Sequence, residues 1–587
     1  MTPVRGGDRG NDGRAIALHD DRRAARMRWA LSVVAVVTVL EILVLVRAPF
    51  LPFVDLPQHL GQAALLAAHS QPSIRELYEV RLVPQVNILH LLVATPLLTW
   101  VGEGAAVRII VGAYVAALAL ALVALTRAAG TSPLNAGLAL LFAVHFNLMY
   151  GFMSLCLGLP LALALLALWG LRDREIAAWR GRAMDGVVVL LWLLLALAHV
   201  FVLAFVSLAL VLRHLLAWRG RRRCLADLAA AAPAWLLVGA WLVTSSAALP
   251  GSVAGPAGGS VAAAVSSAPR AAAVPAAASV VANAPSPRRA AATSRSLEFH
   301  WRGATEKIGA LGWSLIVASR EGRVEWTLIA CVAVLALVSL VRERRSGVAG
   351  SPGSGSRVRR WLGGVALLGM LLFVLLPSAI VDEQQATYGV FLIDQRFLVW
   401  LPLCGLPLLR WPPGRRVIGV LAATVVVLHL ASAWSQGRVL GRAADAARGL
   451  DAAVAAIPPG KILKSLIYTP FPEGVRYQSL LHAGCYYQAR RLGEVDHSFA
   501  LLPFSPVRYR ELGRPYLSRH DEHLAPEDFD WRAVLLYDYV LIDDRDGAWS
   551  RFYRQIPFER IVDQNGWIVM DIESARRAYE RGRGGGR

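Results

Sequence analysis

Apolar segments of about 18 residues or more recur in this chain from residue 28 to residue 435. Each is long enough to cross roughly 30 Å of hydrocarbon, where only a helix or a closed barrel satisfies every backbone polar group. The fold class that follows is a polytopic α-helical membrane protein. With 56% hydrophobic and only 17% charged residues, no single soluble core accounts for the sequence. The predicted spans are 28–47, 86–102, 105–126, 134–150, 152–171, 186–216, 229–247, 322–342, 359–381, 397–411 and 417–435.

Basic residues set the expected orientation. The net charge of +20 would point a soluble protein toward nucleic acid. Here nearly all the basic residues are Arg, and many lie in short loops between apolar runs, as orientation signals do. Nucleic acid is therefore not an expected partner. The loops around Arg172 to Arg182, Arg219 to Arg223, Arg342 to Arg360 and Arg410 to Arg416 are all assigned to the cytoplasm. Five full crossings before residue 172 would put the first of these on the wrong side. Segment 86–102, short and carrying Asn87 and His90, is therefore read as a partly inserted helix. By the same logic, 186–216 is too long for one span, has basic loops at both ends, and reads as two short helices folded back at His199. This gives about 11 crossings plus partly inserted helices.

The domain plan has four parts. Residues 1–27 form a basic cytoplasmic tail, and 28–435 the transmembrane domain, with a first extracytoplasmic loop at 48–104. Residues 248–296, built largely of Ala, Ser, Gly, Pro and Val, bury too little surface to order themselves and read as a disordered insertion; Gly347–Ser356 reads as a linker. From 436 to 587 the composition becomes mixed polar and aromatic. Strand-like runs at Lys461–Tyr468, Ala533–Ile542 and Trp567–Ile572 predict a soluble α/β domain outside the cytoplasm. The five scattered cysteines suggest neither a disulfide framework nor a zinc site. The N-terminal apolar run is too long for a signal peptide and lacks a cleavage site, so it stays as the first span. The Arg-dominated basic content points to a GC-rich bacterial genome, and so to a bacterial cytoplasmic membrane.

The most informative stretch follows that first span: Arg47-Ala-Pro-Phe-Leu-Pro-Phe-Val-Asp55-Leu-Pro57-Gln-His59-Leu. Prolines 49, 52 and 57 break the helix and leave Asp55 and His59 at its exit from the bilayer. A carboxylate is thus held where lipid headgroup and water meet. The alternative is that Asp55, just ahead of Pro57, only caps the next helix.

An uncleaved first span, an Asp early in a long loop with helical pieces, many further spans and a soluble C-terminal domain together resemble the GT-C superfamily of membrane glycosyltransferases. Two runs carry the likeness to its bacterial members: Asp55-Leu-Pro-Gln-His59, and Asn147-Leu-Met-Tyr-Gly-Phe-Met-Ser-Leu-Cys-Leu-Gly. The resemblance implies a donor sugar carried on a polyprenyl phosphate, and a first-loop acidic residue acting as catalytic base or, in some members, as metal ligand. The chain departs from the usual pattern of two adjacent acidic residues, having a lone Asp55, and it lacks a Trp-Trp-Asp motif.

Sugar transfer from such a carrier needs a base near the acceptor hydroxyl and a cation for the departing phosphate. Asp55 is the candidate base. Arg81, in the same loop, and Arg396, in Asp394-Gln-Arg396, are candidate phosphate ligands because guanidinium offers a bidentate fork. A solvated position for Arg81, and snorkelling or an Asp394 pair for Arg396, are the alternatives. His59, His90, His199, Asp382 and Glu383 are expected at the same leaflet, where several ionisable groups imply a water-accessible cavity. His145 is expected in a helix-to-helix hydrogen bond, and Glu41 in a pair inside the bundle. No cofactor is required, although Asp55 and His59, joined by Asp382 or Glu383, offer ligands for a divalent metal such as Mg or Mn. Tyr486, Tyr487, His482 and the Asp496-His497 pair make the C-terminal domain a candidate for acceptor recognition. The expected partners are a polyprenyl-phosphate-linked sugar, membrane lipids, and a glycan, lipid or protein acceptor. A flippase for lipid-linked glycans and a non-catalytic membrane scaffold are the competing classes.

Overall fold

The structure, a computed structural model, describes residues 9–174, 182–217, 220–247, 297–315, 319–345, 354–382, 385–412, 414–502, 505–510, 534–547, 549 and 559–577. The insertion expected at 248–296 lies outside them. Helix α1 (Arg9–Val46) is followed by a loop carrying α2 (Leu56–Ala67), α3 (Pro72–Leu77), strand β1 (Tyr78–Val80) and α4 (Leu89–Val101). The bundle continues with α5 (Glu103–Ala129), α6 (Leu134–Leu140), α7 (Phe146–Met149), α8 (Met153–Asp173), α9 (Arg182–Ala198), α10 (Val200–Leu216) and α11 (Arg221–Ala247). After β2 (Leu297–His300) come α12 (Ala304–Leu315), α13 (Arg323–Arg345), α14 (Ser354–Leu375), β3 (Ala379–Asp382), β4 (Gln385–Phe391), α15 (Gln395–Leu398), α16 (Trp400–Gly405) and α17 (Arg415–Ala446). Among the described residues, 7 helices are long and apolar enough to cross a membrane, and α4, α9 and α10 are shorter apolar helices.

Side-chain contacts sort the helix termini into two ends. Arg174 donates to the Arg127 carbonyl, Arg172 pairs with Asp185 at 2.6 Å, and buried Arg213 holds Asp173 and Asp227, each at 2.7 Å. The C-termini of α5, α8 and α10 and the N-termini of α9 and α11 therefore share one Arg-rich end. Asn135, at the start of α6, donates to the Leu409 carbonyl, and Arg410 meets Glu343 at 3.1 Å, adding α6, α13 and α16 to that end. Helices α9 and α10 thus form the hairpin that the basic loops require. His199 is its hinge, with an extended backbone (φ −165°, ψ 124°), and its Nδ1 accepts from the Phe201 N–H. The Asn87 carboxamide closes the turn by accepting from the Val200 N–H at 2.8 Å.

Segment 134–150 differs in form from the expectation, whereas 86–102 has the short form expected of a partly inserted helix. Segment 134–150 is no continuous helix but breaks between α6 and α7. The break is tolerated because its polar groups are bonded: the Tyr114 hydroxyl donates to the Ala143 carbonyl and contacts His145 Nε2, while His145 Nδ1 accepts from the Asn147 N–H. Helix α4 has 13 residues, about 20 Å at 1.5 Å per residue, which is short of the hydrocarbon thickness. It ends at Gly102, where α5 begins beside the exit of α1 and Arg108 donates to the Val46 carbonyl at 2.8 Å. The passes between the two ends are therefore α1, α5, α6 with α7, α8, α9, α10, α11, α13, α14, α15 with α16, and α17. Seven of them, α1, α5, α8, α11, α13, α14 and α17, are single helices long and apolar enough to cross a membrane by themselves.

The C-terminal domain contains α18 (Leu450–Ala456), β5 (Ile462–Ile467), α19 (Cys485–Arg491), β6 (Glu494–Val495), β7 (Val507–Tyr509), β8 (Tyr539–Asp543), β9 (Glu559–Gln564) and β10 (Trp567–Asp571). Its mixed sheet runs β6-β5-β8-β10-β9, with β5 parallel to both neighbours. Helix α17 continues unbroken through the expected boundary at 435/436 to Ala446, whose carbonyl accepts from the Trp567 indole at 3.0 Å. The last pass is thus a rigid stalk for the domain. Residues 347–353 of the expected linker lie outside the described residues, and Ser354–Ser356 already belong to α14.

Deep in the bundle, Glu41 meets His429 Nδ1 at 2.7 Å and Gln436 Nε2 at 3.3 Å, while His429 Nε2 contacts the Gly137 carbonyl at 2.9 Å. This is the internal pairing that a carboxylate at membrane depth demands. Glu41→Ala leaves buried His429 Nδ1 without a partner, a loss of about 1–3 kcal/mol, while Gln436 keeps its bond to Ser432. Thermal unfolding in detergent should show a midpoint lowered by several degrees for Glu41→Ala and by clearly less for Glu41→Gln, which keeps an acceptor.

Candidate functional site

Asp55 lies at the N-cap position of α2, yet its side chain makes no capping hydrogen bond. The capping alternative is thereby removed. One carboxylate oxygen instead lies 3.3 Å from Nε2 of His482, which comes from the C-terminal domain. The backbone behind it is pinned by the second informative run of the sequence: the Val54 and Asp55 N–H groups donate to the Met149 and Tyr150 carbonyls, each at 3.0 Å. Gly151 allows this approach. Its φ of +76° disfavours a side chain, and a Cβ would sit 2.8 Å from the Asp55 nitrogen.

Histidines extend from this point in both directions. His59 packs edge-on to His90 with ring centroids 4.3 Å apart, and His90 is within electrostatic reach of His199. On the other side, His482 stacks on His497 at 4.7 Å and 18°. Burial pushes the His59 imidazole down to about 4 despite the opposing pull of Asp55, so it is neutral at pH 7.

Cations face the same place. The Arg396 guanidinium lies over Phe152 at 4.3 Å and Phe201 at 5.4 Å and is close enough to Asp55 to interact electrostatically. Its neighbour Asp394 meets Lys307 Nζ at 3.6 Å, and that ammonium also donates to the carbonyls of Phe373, Val374 and Leu376. Buried Arg302 adds a further positive charge beside Tyr150 and Asp394. Arg396 thus lies near Asp55, and Arg302 and Lys307 near Asp394. Guanidinium and ammonium groups gathered at one place suit an anionic ligand.

Asp55, His59, His90, His199 and Arg396 are therefore brought together. Arg81 is not, and its assignment to the donor phosphate is corrected: it follows β1, is 46% exposed and pairs with Glu79. The cause is strand pairing, because β1 runs antiparallel to β7 of the C-terminal domain and draws that part of the loop sideways. Asp382 ends β3, with its side chain outside the description, and Glu383 lies outside the described residues. Among the described residues, no group of three or more His, Cys, Asp or Glu side chains is placed to hold a metal ion. His145 makes the interhelical contact expected of it. Arg302 and Lys307 were missed by sequence reading; the signal was two cations just beyond a low-complexity stretch, ahead of an apolar helix.

The passes, the carboxylate at the exit of the first of them and the appended α/β domain define a polytopic membrane protein of GT-C fold. The fold is seen in ArnT from Cupriavidus metallidurans bound to undecaprenyl phosphate, to which this chain is similar with a TM-score of 0.51 at 11% identity, over 93% of this chain and 98% of that one. The apo-state structure of ArnT aligns at a TM-score of 0.48 with the same identity and coverage. No protein-family model and no curated protein matches the sequence.

The His59 environment carries a pH signature. The folded chain keeps this ring neutral down to about pH 4, whereas an unfolded histidine takes up its proton near 6.5. Stability is thus fully present above about pH 6.5 and is lost as the pH falls toward 4, by up to ~3 kcal/mol for this one group. Thermal scans in detergent across that window should show a falling midpoint, and His59→Gln should flatten the fall.

Proposed function

We propose that the protein is a glycosyltransferase that moves a hexosyl or pentosyl group from a polyprenyl-phosphate carrier to an extracytoplasmic hydroxyl of a glycan, lipid or protein. The observation that carries this reading is the Asp55 carboxylate, free of any capping duty, held against His482 and facing the Arg396 and Arg302 cations. The likeness of fold to a structure holding undecaprenyl phosphate supports the carrier class.

In this reading Asp55 removes the proton from the acceptor hydroxyl as its oxygen attacks the anomeric carbon. The bond from that carbon to the phosphate oxygen breaks with inversion, and the charge that grows on the phosphate is met by Arg396 and Arg302. The phenyl rings around Arg396 exclude water and strengthen that interaction. His482 Nε2 lies 3.3 Å from one Asp55 oxygen and leaves the other for the acceptor. It acts as a positioning residue supplied by the C-terminal domain. The site lies at the end opposite the Arg-rich loops, which by the positive-inside rule supports the reading that it faces away from the cytoplasm.

The chemistry needs no metal, since a base and cations come from the chain itself. Chelation with EDTA should leave transfer unchanged; loss of activity restored by Mg or Mn would reassign Asp55 as a ligand. For the base, Asp55→Asn should lower transfer by at least ~100-fold while expression and thermal midpoint hold. Transfer at the parent rate in that variant would overturn the proposal. A flippase is the second reading, favoured by the same buried cations, and it predicts that Asp55→Asn still translocates lipid-linked sugar.

A further inference from the structure

A second cluster of cations stands apart from the Asp55 site, where α13 and α17 meet the C-terminal domain. Arg323 begins α13, and Ser435, Arg438 and Arg442 project from one face of α17 at helical spacing. With Ser319 and Glu321 they line a small basin open to solvent. Three guanidiniums therefore face one carboxylate. Among the described residues, none of the three has a carboxylate within ion-pairing distance, in contrast to the paired Arg213, Arg490 and Arg508.

The depth of the basin argues for the source of its ligand. The apolar stretch of α13 begins just after Arg323, and that of α17 ends just before Arg438. Two tryptophans mark this level: Trp326 is 46% exposed and Trp434 is 57% exposed, with Arg438 lying 5.0 Å over the Trp434 ring. Exposed tryptophan at helix ends marks the headgroup layer. Arginine beside it presents a fork of donors that matches two phosphate oxygens.

We propose that Arg323, Arg438 and Arg442 form a binding site for the phosphate headgroup of an anionic membrane lipid, separate from the site around Asp55. The Ser319 hydroxyl, which accepts from the Glu321 and Gly322 N–H groups, keeps its hydrogen for a phosphodiester oxygen, while Ser435 donates to the Glu325 carboxylate behind the basin. The back of the basin is the C-terminal domain itself: the Arg442 side chain covers Gly474, and Arg320 N–H donates to the Gly474 carbonyl at 2.8 Å. Occupancy therefore clamps the 474–477 segment to the bilayer surface. That segment ends in Tyr477, whose ring lies 6.5 Å from that of Tyr150 behind Asp55.

Native mass spectrometry of the full chain in detergent, titrated with phosphatidylglycerol, tests the assignment. The parent protein should retain one lipid that R438Q/R442Q binds at least ten-fold more weakly and that phosphatidylcholine does not replace. The single variant Arg323→Gln should weaken the same lipid and serves if the double variant fails to fold. Equal retention in parent and variants overturns the site. Inorganic phosphate is run as a competitor: no displacement at millimolar concentration supports a lipid, whereas displacement with the affinity of the lipid makes free phosphate the ligand and overturns the lipid assignment. Asp55→Asn should bind the lipid as the parent does, so the outcome stands independently of the proposed transfer reaction.

Discussion

The candidate site depends on the first loop being gripped from two sides. On the membrane side, the Met149 and Tyr150 carbonyls take the Val54 and Asp55 N–H groups. On the other, α2 packs on α19 so closely that a Cβ on Gly61 would fall 2.7 Å from Gln488 Oε1. The Gln488 carboxamide is itself held, accepting from Ser498 Oγ at 2.8 Å and donating to the hydroxyls of Tyr78 and Tyr509 at 3.1 and 3.3 Å. Tyr78 belongs to β1 and Tyr509 to β7, the pair of strands that joins loop to domain. A single buried polar network thus connects the loop, its strand and the C-terminal helix. Such networks specify one arrangement because any rearrangement leaves a buried polar group unmet.

That connection explains why the C-terminal domain and the membrane bundle are best regarded as one machine. Arg490 reaches across to Glu103 at the start of α5 with two bonds of 2.8 and 2.9 Å, and the stalk of α17 holds the sheet at β10 through Trp567. His482 then arrives at Asp55 from a domain held at several points. The interior around Asp55 contains carboxylate, imidazole and guanidinium where a passive bundle would be packed with apolar side chains, and each buried charge costs stability unless it has a task or a partner.

Much of this was legible in the sequence because the bilayer is a strict solvent. Span length and Arg-rich loops sufficed to require a fold-back at His199 and to deny α4 a full crossing, and both follow from the same parity argument. The Asp55 exit was legible because three prolines end a helix wherever they occur. The break between α6 and α7 was not, since residues 134–150 are apolar enough to read as one helix and the hydroxyl that makes the break tolerable, that of Tyr114, lies on another pass. Arg81 misled for a related reason. Its position in the loop was right, but strand pairing between residues more than 400 apart decided where it went, and no local pattern encodes that. His482 could be named from sequence as a domain residue, but not as the partner of Asp55.

The two groups of cations differ in a way that separates their tasks. Around Asp55 the Arg302 guanidinium is buried and the half-buried Arg396 guanidinium lies over two phenyl rings, so an anion entering there meets cations partly shielded from water. At the α13–α17 basin, Arg323 and Arg438 are exposed, and the attraction they exert is screened by salt. The first setting suits stabilisation of charge that appears during a reaction, where preorganisation matters most. The second suits reversible retention of a headgroup already charged before it arrives. Their arrangement on either side of the 474–477 segment places the reacting group and the surrounding lipid against one stretch of the C-terminal domain, which is where a domain fixed to both the first loop and the last pass is stiff enough to hold them in register.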